Sequence, residues 1–224
     1  VSMNRRDFSL TTALLGTAGA LGSLPAWAQQ AKTPPQEGKD YVKLGTPVNL
    51  DTPPGKVEVL EFFWYSCPHC FTFEPMFANW VKAQPEHVLV RRVPIAFQQN
   101  GNFVPQQKLF YALEGMKLLD KLHVAVFGAI QNERRRLTSD EAVFEWVKAQ
   151  SGVDLEEFKK LYGSFSVASA VRRATQLQND FGVQGVPSLG VAGKYYTDGT
   201  MSSSLPRALE VVDYLVEQER KQMG

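Results

Sequence analysis

Cysteine and histidine are scarce in this chain, with two cysteines and three histidines among 224 residues. A disulfide framework needs more cysteines than that. A zinc centre needs about four ligands, and His87 and His123 lie in segments unrelated to the cysteines, which argues against a metal site. Both histidines read most simply as surface or helix-face residues. An excess of charge of one sign is also missing: Lys and Arg number 24, Asp and Glu 23. That balance argues against nucleic acid or an anionic membrane as the main partner. There is no internal repeat and no low-complexity tract. The longest early apolar stretch, Ala13 to Leu24, is shorter than the roughly 18 residues that read as a membrane span.

What the first residues do contain is an export pattern. Met3-Asn4-Arg5-Arg6 is a positive start, the short apolar stretch follows, and Ala26-Trp27-Ala28 supplies a small-x-small cleavage site. Met3 reads as the initiator, with Val1 and Ser2 ahead of it. Arg5-Arg6-Asp7-Phe8 partly matches a twin-arginine signal, although Ser9 intervenes where that motif prefers an apolar residue. Removing residues 1–28 would leave equal numbers of acidic and basic side chains. Export would place the cysteines in an oxidising compartment, where a disulfide persists.

Local patterns then predict the elements. Residues 29–40, with Pro34-Pro35 and Gly38, read as a flexible leader. Val42 to Leu44 suits a short edge strand, and Val57 to Tyr65 is a continuous apolar run expected of a strand buried on both faces. A helix is predicted from near Cys67, kinked at Pro75. Val88 to Val93 reads as a second strand, ended by Pro94. The block from Gln98 to Val167 is helical, with Thr138-x-x-Glu141 and Asp154-x-x-Glu157 as capping boxes. A long helix follows from about Ser166 to Phe181. Val186 to Val191 and Tyr195-Tyr196 suit a hairpin, and a last helix runs from about Pro206, capped by Ser203 or Ser204. This order divides the chain into an export signal (1–28), a leader (29–40), an α/β part (41–97), an inserted helical domain (98–167) and the rest of the α/β part (168–224).

The two cysteines stand three apart in Cys67-Pro68-His69-Cys70, directly after the central strand and at the start of a helix. That is the layout of a thiol–disulfide exchange site. A bridge between them would close a tiny loop and add little stability, which argues against a structural staple. Exchange requires a thiolate. Cys67 comes first, at the helix N-terminus, where free N–H groups favour negative charge, so it is the candidate nucleophile. Cys70, within the first turn, suits the resolving role. Lowering a thiol from ~8.5 to ~4 takes about 6 kcal/mol at ~1.36 kcal/mol per unit. A helix terminus supplies at most about 2 kcal/mol. Local N–H groups and a donating or positive His69 are expected to supply the remainder, while Pro68 suits the first helical turn.

Phe62 to Glu74, together with Gly185-Val186-Pro187 far downstream, resembles the thioredoxin superfamily. Cys-Pro-His-Cys with a helical insertion and an export signal is similar to the DsbA family of periplasmic thiol oxidases. The resemblance implies a thioredoxin-like α/β fold, a central mixed sheet flanked by helices, with an inserted helical domain. It implies a strongly lowered cysteine pKa and an oxidising Cys67–Cys70 disulfide as the redox centre, with no other cofactor. It implies that Val186–Pro187 is cis and lies against the cysteines, where an extended substrate could pair as an added strand; an ordinary trans proline at a strand start is the alternative. By the same analogy Glu61 handles protons around Cys70, against the alternative of an exposed strand-end carboxylate. Arg92 would be its basic partner and Glu74 an assistant or a solvated helix residue. Trp64, Phe71 and Phe73 could line a peptide groove. Pro75 is more typical of thioredoxin itself, a reductant, and bears on helix shape.

The implied partners are unfolded exported polypeptides with free thiols, and a DsbB-type quinone-linked membrane oxidase that restores the disulfide. A monomer in the periplasm is expected. Two other readings stand beside this one: a reductase or isomerase of the same superfamily, and a chaperone-like peptide binder that does not rely on its thiols.

Overall fold

The computed structural model describes residues 33–99 and 101–223; the export signal and the first leader residues lie outside them. Five strands form one mixed sheet: β1 (Val42–Lys43), β2 (Val57–Phe63), β3 (Val88–Pro94), β4 (Ser188–Val191) and β5 (Tyr195–Asp198). Their order is β1-β5-β4-β2-β3, with β2 and β3 parallel and the other pairs antiparallel. Seven helices are described: α1 (Pro68–Ala83), α2 (Val104–Gly115), α3 (Leu119–Gln131), α4 (Asp140–Lys148), α5 (Leu155–Tyr162), α6 (Phe165–Asp180) and α7 (Leu205–Met223). The fold is thioredoxin-like.

Every residue of β2 is buried, because helices cover both faces of the sheet. Side chains alternate across a strand. Val57 and Val59 join Phe73 and Phe77 of α1 and Leu209, Val212 and Leu215 of α7. Leu60 and Phe62 meet Ala174, Leu177 and Phe181 of α6 on the other face. Phe63, at the end of β2, enters a third cluster built by α2 to α6, which also takes in both cysteines.

Burying β2 completely means burying its two carboxylates. Glu58 is held by Thr52 Oγ1 at 2.7 Å and by Arg91 Nε at 2.6 Å. Both acceptor oxygens are thus occupied, and Glu58 serves the fold.

Several predicted boundaries move. β2 stops at Phe63, and Trp64 and Tyr65 turn toward the site. Helix α1 runs unbroken through Pro75. The cap of α4 is Ser139, one residue after the expected Thr138, and Ser139 Oγ accepts from the Ala142 N–H. Asp154 caps α5 as its signature predicts, and Ser204 takes the Arg207 N–H at the start of α7. Ahead of β1, Asp40 is buried and accepts from the Gln36 N–H at 2.9 Å.

The β4–β5 hairpin turns on Ala192 and Gly193, at φ +53° and +66°. A Cβ on Gly193 would sit 2.1 Å from the Val48 carbonyl oxygen. Backbone conformation and close approach both demand glycine there. Gly193→Ala is expected to lower the unfolding free energy by at least about 2 kcal/mol in urea titration; an unchanged midpoint would refute this account of the turn.

Candidate active site

The turn after β2 delivers the cysteines. Cys67 is the N-cap of α1, at φ −84° and ψ 116°, and Pro68 opens the helix. The Cys67 N–H is used up on the Trp64 carbonyl at 2.9 Å. The Cys67 side chain makes no capping bond, and its Sγ faces the Val186 carbonyl oxygen at 3.4 Å. The Val186–Pro187 peptide is cis. Both thiols are free, with Cys67 8% and Cys70 1% exposed, while Pro68 and His69 face solvent. A cavity of about 340 Å³ opens beside them, lined by His69, Val186, Pro187, Thr200 and Leu205.

The two sulfurs are driven apart electrostatically. Cys67 is lowered to about 6, chiefly by the hydrogen bond from the Cys70 side chain. Burial opposes that, and the N–H groups of Cys70 and His69 and the His69 charge add to it. Cys70 is pushed far up by burial, then by that same bond and by the charge of Cys67, so it stays a thiol. A sulfur that ionises readily beside one that keeps its proton is the asymmetry that an attacking and a resolving sulfur require. His69 contributes, but less than Cys70, a donor that sequence reasoning did not weigh.

Beneath them lies a buried charge cluster. Glu61 of β2 and Arg92 of β3 are register partners across the parallel pair, and Arg92 Nε stands 3.0 Å from Glu61 Oε2. The angle is poor for a hydrogen bond, and that carboxylate oxygen has no donor aligned on it. Arg92 instead gives a direct bond to Glu74 Oε1 at 2.6 Å, with its guanidinium over the Phe77 ring. Burial raises Glu61 to about 8 against the pull of Arg92, and the Glu74 charge raises it further. Burial works the same way on Glu74, but His123 and Arg92 outweigh it and hold the carboxyl below its ordinary value. At neutral pH Glu61 is therefore a carboxylic acid and Glu74 a carboxylate.

These positions settle several expectations about burial. Glu61 is 1% and Glu74 5% exposed, so neither is a solvated carboxylate. His123 lies on the inward face of α3, as the helix-face alternative has it; at 6% exposed it is not the surface residue of the other alternative. Leu119, Leu122, Val126 and Phe127 on α3 would have placed it on the apolar stripe at helical spacing. Phe73 is a correction. It is buried between the sheet and α1 and cannot line a groove, whereas Trp64 and Phe71 are half-buried beside the cysteines.

The turn is also tied to the inserted helices. Gln131 Nε2 donates to the Tyr65 carbonyl at 2.9 Å, and Gln106 Nε2 to Ser66 Oγ at 2.7 Å. Trp64 packs on Phe103 with ring centroids 4.5 Å apart. Among the described residues no group of metal ligands is present, and no helix is long and apolar enough to cross a membrane.

Comparison with known proteins gives one answer. The family model described as a DSBA-like thioredoxin domain matches residues 58–209. The thiol:disulfide interchange protein DsbA of Bordetella pertussis is 42% identical, over 95% of this chain and 99% of its own length. That of Burkholderia cepacia is 39% identical, over 93% and 95%. The crystal structure of Pseudomonas aeruginosa DsbA superposes with a TM-score of 0.77 at 37% identity, covering 83% of this chain and 94% of that one.

The proton balance has a testable sign. In the reduced protein Cys67 ionises near 6, against 9.0 for an ordinary thiol. From pH 6 toward 8 the unfolded chain holds more protons, so the stability of the reduced form rises with pH and is lost as pH falls through 6. The oxidised form lacks this group. The melting temperature of the reduced protein is expected to exceed that of the oxidised protein, by a gap that widens from pH 6 to 8; a constant or reversed gap would count against it.

Glu61 carries the opposite sign. Raised to about 8 from 4.5, it keeps its proton in the fold when the unfolded chain has lost it, so it costs stability increasingly above pH 4.5. Glu61→Gln is expected to match the parent near pH 4 and to be more stable at pH 8 by about 1–3 kcal/mol. Parallel stability–pH curves in denaturant titrations would show that Glu61 ionises normally.

Proposed function

The chain belongs to the DSBA-like thioredoxin domain family and is a thiol:disulfide oxidoreductase, and on that premise we propose that it introduces disulfide bonds into exported polypeptides by exchange at Cys67 and Cys70. A substrate thiolate attacks Sγ of Cys67 in the oxidised protein. The Cys67–Cys70 bond breaks, its electron pair leaves on Cys70, and a mixed disulfide joins Cys67 to the substrate. A second substrate thiolate then attacks the substrate sulfur of that bond and releases the Cys67 thiolate. The substrate has lost two electrons and the protein has gained them.

The observation that carries this reading is the unequal pair: a Cys67 at the helix N-terminus whose thiolate is stabilised by the Cys70 thiol, and a more deeply buried Cys70 that holds its proton. A stabilised leaving thiolate favours the reduced protein and so makes the disulfide an oxidant. Cys70 needs a proton as it leaves, and the buried, protonated Glu61 is the donor proposed for it. The Val186 carbonyl, 3.4 Å from Sγ of Cys67, supports pairing of an extended substrate along Val186–Pro187. His69 and Pro68 shape the first turn of α1. The helical segment 98–167 serves as the cover over Cys70.

The Cys67–Cys70 pair is the redox centre in this reading. Re-oxidation falls to a partner oxidase, proposed to be a membrane-bound, quinone-linked enzyme of the DsbB type. The periplasm is the proposed site of action, reached through cleavage after Ala28, with a twin-arginine route as the export path to test.

Cys67→Ser is expected to abolish oxidation of a reduced protein substrate, and Cys70→Ser to accumulate mixed disulfides visible on non-reducing gels. Full activity in either variant overturns the assignment.

A further inference from the structure

His123 is a polar side chain that the exchange chemistry described so far does not use. It comes from α3 and reaches into the seam between the inserted helices and the sheet. Phe63, Phe110 and Phe127 surround it with ring centroids at 5.3, 6.0 and 5.2 Å. Two polar contacts break that apolar shell. Nδ1 lies 2.8 Å from the Tyr65 hydroxyl, and Nε2 lies 3.4 Å from Glu74 Oε2, close enough for a charge–dipole contact but without the alignment of a hydrogen bond.

The first contact orients the second. Tyr65 is buried and its hydroxyl is held far from ionisation, mainly by that burial. An O–H that donates to Nδ1 fixes the neutral imidazole as the Nε2–H tautomer, which puts the proton on the nitrogen nearer Glu74. The groups facing His123 are Glu74 and Lys82 of α1, Arg92 of β3, Tyr65 after β2, and Asp120 on its own helix. Glu61 lies beyond Arg92, and Glu114 of α2 bears on Tyr65. Burial and Arg92 disfavour an imidazolium here, and Glu74 favours it; the net effect lowers the pKa of His123.

We propose that His123 is a positioning residue for the exchange reaction: its Nε2–H supports the Glu74 carboxylate, which holds Arg92 and leaves the Glu61 carboxyl to carry the proton that Cys70 takes up on leaving. The proposal rests on Cys67 and Cys70 being the reacting pair. In the step concerned, the Cys67–Cys70 bond breaks as a substrate thiolate adds to Cys67. The electron pair departs on Cys70 Sγ, and the Glu61 proton moves to it, leaving a carboxylate that recovers a proton from water. Without the His123 contact on Oε2, the Glu74 carboxylate is free to rotate off Arg92, whose bond is to Oε1. The guanidinium then turns to Glu61, which ionises at lower pH and no longer supplies the proton at neutrality.

The test is the pre-steady-state rate at which the oxidised full-length protein reacts with a cysteine-containing peptide, expressed per peptide thiolate, from pH 5 to 9. The parent should lose rate with an alkaline midpoint near that of Glu61. His123→Leu should shift that midpoint down by about one pH unit and slow the reaction about tenfold at pH 7.5. His123→Gln places an amide N–H in nearly the same position without a titrating ring, and should restore the parent profile. A His123→Leu profile identical to the parent's, or a His123→Gln variant as slow as His123→Leu, overturns the proposal.

Two controls separate its failure from other failures. Cys67→Ser must be inert in the same assay; activity there defeats the cysteine assignment whatever His123 does. Nitrogen NMR of histidine-labelled parent protein needs no variant to fold. It should show His123 neutral with its proton on Nε2 at pH 7.5, and a proton on Nδ1, or an ordinary titration, refutes the geometry.

Discussion

The bond between the two thiols is the constraint around which the site is built. A thiolate in a nearly closed position is unfavourable unless donors replace its water, and the donor that lowers Cys67 most is its own partner. That donor works only while Cys70 keeps its proton, which burial under the inserted helices ensures. One act of covering thus stabilises charge on one sulfur and forbids it on the other. The helix terminus and His69 reinforce an asymmetry that burial has already established.

The same logic repeats one layer down. Two carboxyls and one guanidinium cannot all be satisfied in a volume closed to water, so the cluster divides unequally. Arg92 aligns on Glu74, and Glu61 is left with an ion-pair distance but no aligned donor. Paired burial of this kind seldom stabilises a fold over an apolar alternative. In a sheet otherwise packed with valine, leucine and phenylalanine it stands apart from the packing around it, as the proton-handling role proposed for Glu61 requires. Glu58, three residues earlier, shows the contrast: it sits on the opposite face with both oxygens occupied and contributes only structure.

Much of this was legible from residue order. The apolar run of β2, the cysteine spacing and the cap at Asp154 each rest on local chemistry and appear where that chemistry demands, whereas the cis Val186–Pro187 bond beside the cysteines follows from the family resemblance. Cap residues and strand ends slipped by one or two positions because neighbouring residues such as Thr138 and Ser139 compete for one role. For His123 the apolar stripe of α3 marks the buried face, but its polar partners Tyr65 and Glu74 lie some fifty to sixty positions away and no local pattern encodes them. Likewise the pairing of Glu61 with Arg92 follows from strand register, which spacing alone does not supply.

The hydrogen bonds from Gln106 and Gln131 to the turn carrying Cys67 bear on modularity. The inserted helices close two backbone and side-chain valences of the catalytic turn itself, at Ser66 and Tyr65. A minimal version cut back to the sheet and its flanking helices would keep the cysteine motif yet expose those groups, Cys70 and the acid cluster to water. Its thiols would then drift toward ordinary acidity. For anyone transplanting this activity, the smallest portable unit is the folded chain with its insertion, because the motif carries the sulfurs while the insertion sets their temper.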